Sequence, residues 1–146
     1  AKQHANLDPE TWSFIYADVV ISMWKMFTRA HLVHGDLSEY NIVFHEQRAK
    51  IIDVGQSVDL SHPNSMKMLR RDCATINSFF QRQKSPTLTD KELFLTVTDP
   101  SITDEMEVLN KTMGSIAMWG ESQLAENHQF GTCFIPTSID EIPNDS

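Results

Sequence analysis

The stretch His31-Leu32-Val33-His34-Gly35-Asp36-Leu37-Ser38-Glu39-Tyr40-Asn41, continued by Ile51-Ile52-Asp53-Val54-Gly55-Gln56-Ser57, decides the reading of this chain. Its polar residues come in a definite order: Asp36, then Asn41, then Asp53 beyond a short apolar run. Phosphoryl transfer asks for that order. One carboxylate must orient or accept the proton of an attacking hydroxyl. An amide oxygen and a second carboxylate must hold Mg²⁺, which takes hard oxygen ligands and keeps several waters. Taken singly, Asp36 could merely cap a turn and Asp53 merely end a strand. The apolar frames Leu32-Val33 and Ile51-Ile52 weigh against two unrelated coincidences.

The sequence between these residues predicts how they meet. Ile42-Val43-Phe44-His45 and Ala49-Lys50-Ile51-Ile52 read as two short strands, joined by Glu46-Gln47-Arg48. Such a hairpin returns the chain to its starting point. Asp36 and Asn41 at its entrance and Asp53 at its exit are therefore expected at one end.

His34 to Asn41 and Ile52-Asp53-Val54-Gly55-Gln56-Ser57-Val58 resemble the catalytic and metal-binding loops of the RIO protein kinases. His62-Pro63, Leu69-Arg70-Arg71-Asp72-Cys73, Asn77-Ser78-Phe79-Phe80 and Val97-Thr98-Asp99-Pro100-Ser101-Ile102-Thr103 are similar to the family's first branch. The likeness runs from about Trp12 to Trp119 and more loosely to Ile142. His-Gly-Asp-Leu alone is shared with aminoglycoside and choline kinases; the Ser-Glu-Tyr insert and the Asp-Val-Gly-Gln-Ser-Val run set the RIO family apart. Gly55 departs from the branch, which more often has serine there.

The resemblance implies an atypical serine/threonine kinase or ATPase using ATP and Mg²⁺. Asp36 would be the catalytic carboxylate, with Asn41 and Asp53 as metal ligands. Asp53 would be a phosphoryl acceptor in members that phosphorylate themselves there. His34, Ser38 and Gly55 would support the loop. It further implies work in the cytoplasm on precursors of the small ribosomal subunit. The implied fold is α+β and mostly α: a kinase-like carboxyl-terminal lobe, with a short β-hairpin carrying the catalytic and metal loops.

A length of 146 residues suits one domain. We expect the lobe over residues 1–119 and an acidic tail, partly extended and with a disordered far end, over 120–146. No apolar run approaches the roughly 20 residues of a membrane span, and no signal-peptide pattern opens the chain. The chain starts with Ala1 and not Met, so it is expected to be either a fragment of a longer protein or a truncated gene product. The net charge of −8 argues against the whole surface binding nucleic acid. That charge is uneven. Five acids and no Lys or Arg follow Gly120, whereas Lys67 to Lys84 holds five bases and the single acid Asp72. A solvated surface explains this plainly; the functional alternative is an RNA contact through Lys67, Arg70 and Arg71. Cys73 and Cys133 lack metal-ligand spacing, and Cys73 falls on an apolar helix face.

Helical periodicity marks residues 10 to 30, with Trp12, Tyr16, Val19, Val20, Met23, Phe27 and Ala30 on one face and an Asp8-Pro9 start. A second helix is predicted from Ser65 to Arg82, with Leu69, Cys73, Ile76 and Phe80 inward. Thr89 and Glu92 form a capping box for a third. The last is expected to be capped by Ser101 or Thr103 and to end near Trp119.

The five glycines form no phosphate-binding loop, and no lysine stands on an apolar strand before a helix bearing a partner glutamate. The expected chain is thus a lobe without its nucleotide-gripping partner, inactive by itself. Two rival readings remain at this point: a small-molecule kinase of the aminoglycoside or choline type, and a non-enzymatic lobe that binds pre-ribosomes.

Overall fold

The computed structural model describes residues 7–46 and 48–130, with side chains described as far as Ala117. The chain divides into two units, Ala1–Ile116 and Ala117–Ser146. Helix α1 spans Pro9–Thr28 and starts as the sequence requires, with the Asp8 side chain accepting from the Thr11 N–H at 2.7 Å and proline in the first turn. Its buried face is wider than one stripe. Ile15 and Trp24 are as inaccessible as Trp12, Tyr16, Val19, Val20 and Met23. The cause is that α1 is packed from several sides. The expected inward Ala30 lies beyond the helix and is exposed.

Strand β1 (Leu32–Val33) follows, then a 3₁₀ turn at Glu39–Asn41, then the hairpin of β2 (Ile42–His45) and β3 (Arg48–Ile51). The hairpin is antiparallel, pairing Ile42 with Ile51 and His45 with Arg48. Its second strand therefore begins one residue earlier than predicted, and Ile52 lies outside it. The reason is in α1: Asp18 binds the Arg48 guanidinium through Nε at 2.8 Å and Nη2 at 3.1 Å, and also accepts from the Ala49 N–H at 3.1 Å. That clamp draws Arg48 into the strand. Strand β4 (Val58–Asp59) returns to pair with β1, Val33 opposite Val58, a two-residue ladder too short to show a sequence period.

Helix α2 spans Ser65–Arg82, within the predicted bounds, and buries Leu69, Cys73, Ile76 and Phe80. Burial pushes the Cys73 thiol well above its ordinary range, as befits a core residue. Helix α3 (Asp90–Thr98) carries the expected capping box: Glu92 N–H to Thr89 Oγ1 and Thr89 N–H to Glu92 Oε1, both at 3.0 Å. Helix α4 spans Glu105–Phe130, running past the predicted end near Trp119. Its first turn is capped by neither predicted residue. Asp104 Oδ1 accepts from the Glu107 N–H at 2.9 Å, while the Glu107 carboxylate reaches back to the Thr103 N–H and hydroxyl. Residues 131–146, with Cys133 and most of the expected tail, lie outside the described residues. No described helix is long and apolar enough to cross a membrane.

The core joins α1, α2 and the hairpin through aromatic edges. Phe80 meets Trp12 at 5.7 Å, Tyr16 at 5.1 Å and Phe79 at 5.1 Å, all near perpendicular, and Trp12 meets Phe44 of β2 at 6.3 Å. Each such pair adds about 0.5–1.5 kcal/mol beyond its burial. Several buried polar groups are matched too, although Trp24 Nε1, Ser57 Oγ and Thr112 Oγ1 have no hydrogen-bond partner among the described residues. The Tyr16 hydroxyl donates to Asn77 Oδ1 at 2.5 Å, and Asn77 Nδ2 donates to the Leu88 carbonyl and to Asp90. The architecture is mostly helical with two small antiparallel sheets, consistent with the expected α+β class.

Candidate functional site

The two sheets are nested, and that nesting makes the site. Strands β1 and β4 close its base while β2 and β3 close its far end, so residues 34–41 and 52–57 run between them. At the hairpin end the Ile52 N–H donates to the Asn41 carbonyl at 2.8 Å. Asn41 and Asp53 are thereby brought to one place along the backbone. His34 ties the two segments from the other side, with Nε2 3.2 Å from the Ile52 carbonyl oxygen. Its Nδ1 accepts from the Asp36 N–H at 3.3 Å. The pattern calls for the ring proton on Nε2, where it is donated to Ile52. His34 is buried at 3 % exposure, so this ring is a strut between the loops.

Each site residue has a local reason for its placement. Gly35 takes φ +87°, a left-handed backbone that glycine adopts without cost. Ser38 caps the 3₁₀ turn, accepting from the Tyr40 N–H at 3.2 Å, and its hydroxyl donates to Asn41 Oδ1 at 3.1 Å. That bond fixes the side-chain carbonyl of Asn41, which is buried, and leaves its second lone pair free. Asp53 sits in the left-handed region at φ 63°, ψ 49°, with no capping bond from its side chain. An aspartate held there is more strained than a glycine. Asp36 and Asp53 are both exposed, and neither carboxylate has a hydrogen bond or ion pair among the described residues. Gly55 has no left-handed φ, and open space surrounds the place where a Cβ would stand.

One residue at this site escapes a sequence reading. Asp72 of α2 is 1 % exposed, and its carboxylate accepts from the Gly35 N–H at 2.8 Å and the Leu37 N–H at 3.1 Å. It therefore grips the backbone on both sides of Asp36. Burial raises its pKa above the group's ordinary value, opposed by the two N–H donors and by His34. The available signal was an acid at the i+3 position of the apolar stripe Leu69, Cys73, Ile76. An acid there is either misplaced or bonded to something buried.

The donor set suits Mg²⁺ bound together with phosphates. No three His, Cys, Asp or Glu side chains among the described residues converge to hold a metal unaided. The Asp53 carboxylate and the oriented Asn41 amide oxygen are instead the sparse hard-oxygen pair that could share Mg²⁺ with substrate phosphates and water. Of the three cations expected to touch RNA, all are exposed, but Arg70 lies over the Phe94 ring at 5.3 Å and Arg71 lines a separate groove.

Comparison with known proteins places the sequence. The family described as "RIO domain" matches residues 1–93. The human serine/threonine-protein kinase RIO1 is 40% identical over 137 residues, which cover 89% of this chain and 24% of the relative. The Dictyostelium discoideum serine/threonine-protein kinase rio1 is 36% identical over 143 residues, covering 94% and 25%. The Haloferax volcanii RIO-type serine/threonine-protein kinase Rio1 is 48% identical over 66 residues, covering 45% and 23%. The chain spans about a quarter of the length of these relatives.

Proposed function

The chain belongs to the RIO family, in its RIO1 branch, and from that footing we propose that its protein is an atypical serine/threonine kinase and ATPase whose carboxyl-terminal lobe is described above. The observation that carries the reading is the nested pairing, with Asn41 and Ile52 hydrogen-bonded at 2.8 Å and His34 bridging to the same Ile52. The reading is supported by the closeness of the two backbone segments and by the absence of any hydrogen bond or ion pair to the Asp36 and Asp53 carboxylates among the described residues. Family membership favours this reading over the small-molecule kinase that His-Gly-Asp-Leu alone allowed.

In this proposal Asp36 is the catalytic carboxylate. It orients the attacking hydroxyl and accepts its proton, and its unencumbered oxygens suit that work. Asn41 Oδ1 and Asp53 would hold Mg²⁺, which supplies charge neutralisation at the phosphates when it is bound with ATP. Ser38 sets the Asn41 amide, His34 spaces the two loops, and Asp72 holds the backbone beneath Asp36. Gly55 is proposed to support the loop only through its place in the 3₁₀ turn after Asp53, since a Cβ there would meet open space. Asp53 is also the proposed acceptor on the hydrolytic branch, as an acyl phosphate whose lability distinguishes it from phosphoserine. The grip on the purine and outer phosphates is assigned to residues outside this chain, because its glycines form no phosphate loop.

The proposed setting is the cytoplasm, on precursors of the small ribosomal subunit. With Arg70 stacked on Phe94 and Arg71 in the groove, Lys67 is the cation left for an RNA contact. A rival lobe that binds pre-ribosomes without catalysis differs in having no metal-linked nucleotide site. Calorimetric titration of ADP into the full-length protein at several Mg²⁺ concentrations tests this. Asn41→Ala and Asp53→Ala should each raise the Mg²⁺ needed for binding. Unchanged metal dependence in both would remove them as ligands.

A further inference from the structure

A groove of about 370 Å³ runs along the outer side of α2, and its wall is the segment Ser38-Glu39-Tyr40. That segment lies between the proposed catalytic Asp36 and the proposed metal ligand Asn41. Along α2 the groove is lined by Arg71, Thr75, Ser78 and Arg82. These fall at i, i+4, i+7 and i+11, so they form one stripe on one helix face. The stripe has an arginine at each end and hydroxyls between. Neither arginine has an ion pair among the described residues, and both are exposed. The neighbouring Arg70, by contrast, is occupied by Phe94.

We infer that this groove is the subsite for an acidic stretch of the polypeptide substrate, with Arg71 and Arg82 each taking an oxyanion, carboxylate or phosphomonoester, from residues about five positions apart. The inference rests on the kinase reading for its link to catalysis, though the binding itself can be measured apart from it. The spacing follows from geometry. Eleven residues of helix rise about 16 Å, and an extended chain covers about 3.3–3.6 Å per residue. Guanidinium groups bind carboxylate and phosphate through paired N–H donors. Thr75 and Ser78 offer hydroxyls to the backbone that crosses between the two ends.

A polypeptide suits the groove better than RNA does. Glu39 stands on the wall, and a nucleic-acid backbone would bring a phosphate against it at every nucleotide. A peptide can place neutral residues there and keep its acids at the two ends. The exposed Tyr40 ring, at 83 %, gives the peptide an apolar surface beside the catalytic segment.

The test is fluorescence anisotropy with full-length protein and three labelled peptides. They carry aspartate, phosphoserine or lysine at two positions five apart, with a decauridine oligonucleotide as competitor. The acidic and phosphorylated peptides should bind and the lysine peptide should not. The stronger of the two anions identifies the source of the charge. Arg71→Glu and Arg82→Glu should each weaken binding about tenfold, as expected for losing one charge-assisted contact. Arg71→Gln should give a smaller loss, and ATP hydrolysis without peptide should stay within twofold for all three variants. Equal binding of the lysine peptide, binding unaffected by either charge reversal, or displacement of the peptide by decauridine would overturn the inference. Asp36→Asn in the same assays keeps the two readings apart. If it leaves turnover intact, the kinase reading fails while the anisotropy result still decides the groove.

Discussion

Replacing Asp72 by alanine removes the acceptor of two backbone N–H groups, those of Gly35 and Leu37, at 2.8 Å and 3.1 Å. The site is buried, so water does not readily replace the carboxylate. Each N–H left without a partner costs about 1–3 kcal/mol, so Asp72→Ala should destabilise the closed loop by about 2–6 kcal/mol. Asparagine is the informative comparison. It keeps one acceptor oxygen and turns an NH₂ donor toward the second N–H, so about half of that cost should appear. Amide hydrogen exchange at Gly35 and Leu37 in the full-length protein reads this directly, because every 1.4 kcal/mol is about tenfold in protection. Protection should fall in the order wild type, Asn, Ala. Turnover should fall with it, since a displacement of about 1 Å near the reacting atoms can cost about a hundredfold.

The pH dependence of the Asp72 effect has a definite sign. Burial places its folded pKa above the unfolded value of about 3.9. Its contribution is then complete below that value and is lost as pH rises through the folded pKa. The advantage of wild type over Asp72→Asn should therefore be widest near pH 4 and narrow toward neutrality. Exchange at both amides and turnover within twofold of wild type in both variants would refute the clamp.

Other outcomes follow from the same contacts. Asp18→Ala should lower stability by about 1–2 kcal/mol in urea unfolding, mostly from the lost Ala49 N–H bond, since the ion pair to the exposed Arg48 contributes little. Asp18→Asn, which can keep that bond, should lose less, and equal losses would place the effect in the charge instead. A polypeptide of these 146 residues alone should bind ATP·Mg²⁺ no tighter than about millimolar, some 4 kcal/mol. It should also be prone to aggregate, because Val43, Ile52 and Val54 are exposed on and beside the hairpin. Micromolar binding of a fluorescent nucleotide would mean that this chain holds the nucleotide site unaided.

The parts of the fold that were legible in the sequence are those with local causes. The stripe Leu69, Cys73, Ile76, Phe80 marked α2, and Thr89 with Glu92 marked the start of α3, because helix periodicity and capping act within a few residues. Errors arose where a distant group intervened. Arg48 joined β3 because Asp18, thirty positions earlier, holds it there. Asp104 took the cap of α4 because Glu107 satisfied Thr103 from inside the helix. The pairing of β1 with β4 rests on two residues per strand, too few for a pattern. At the site, Asp36, Asn41 and Asp53 stood out because the types and spacing asked for by the proposed chemistry are demanding. Asp72 did not, because its partners lie 37 and 35 positions away and only the folded chain brings them together.

The central claim is that Asp36 acts on the transferring group and contributes little to holding the nucleotide. Single-turnover transfer from radiolabelled ATP by full-length Asp36→Asn, measured beside its ATP affinity, tests that claim most directly. The account predicts a fall in rate of about 10²- to 10⁴-fold, the usual contribution of a positioned acid–base group, with affinity changed by less than about threefold. A rate within twofold of wild type, or a loss confined to ATP affinity, would contradict it.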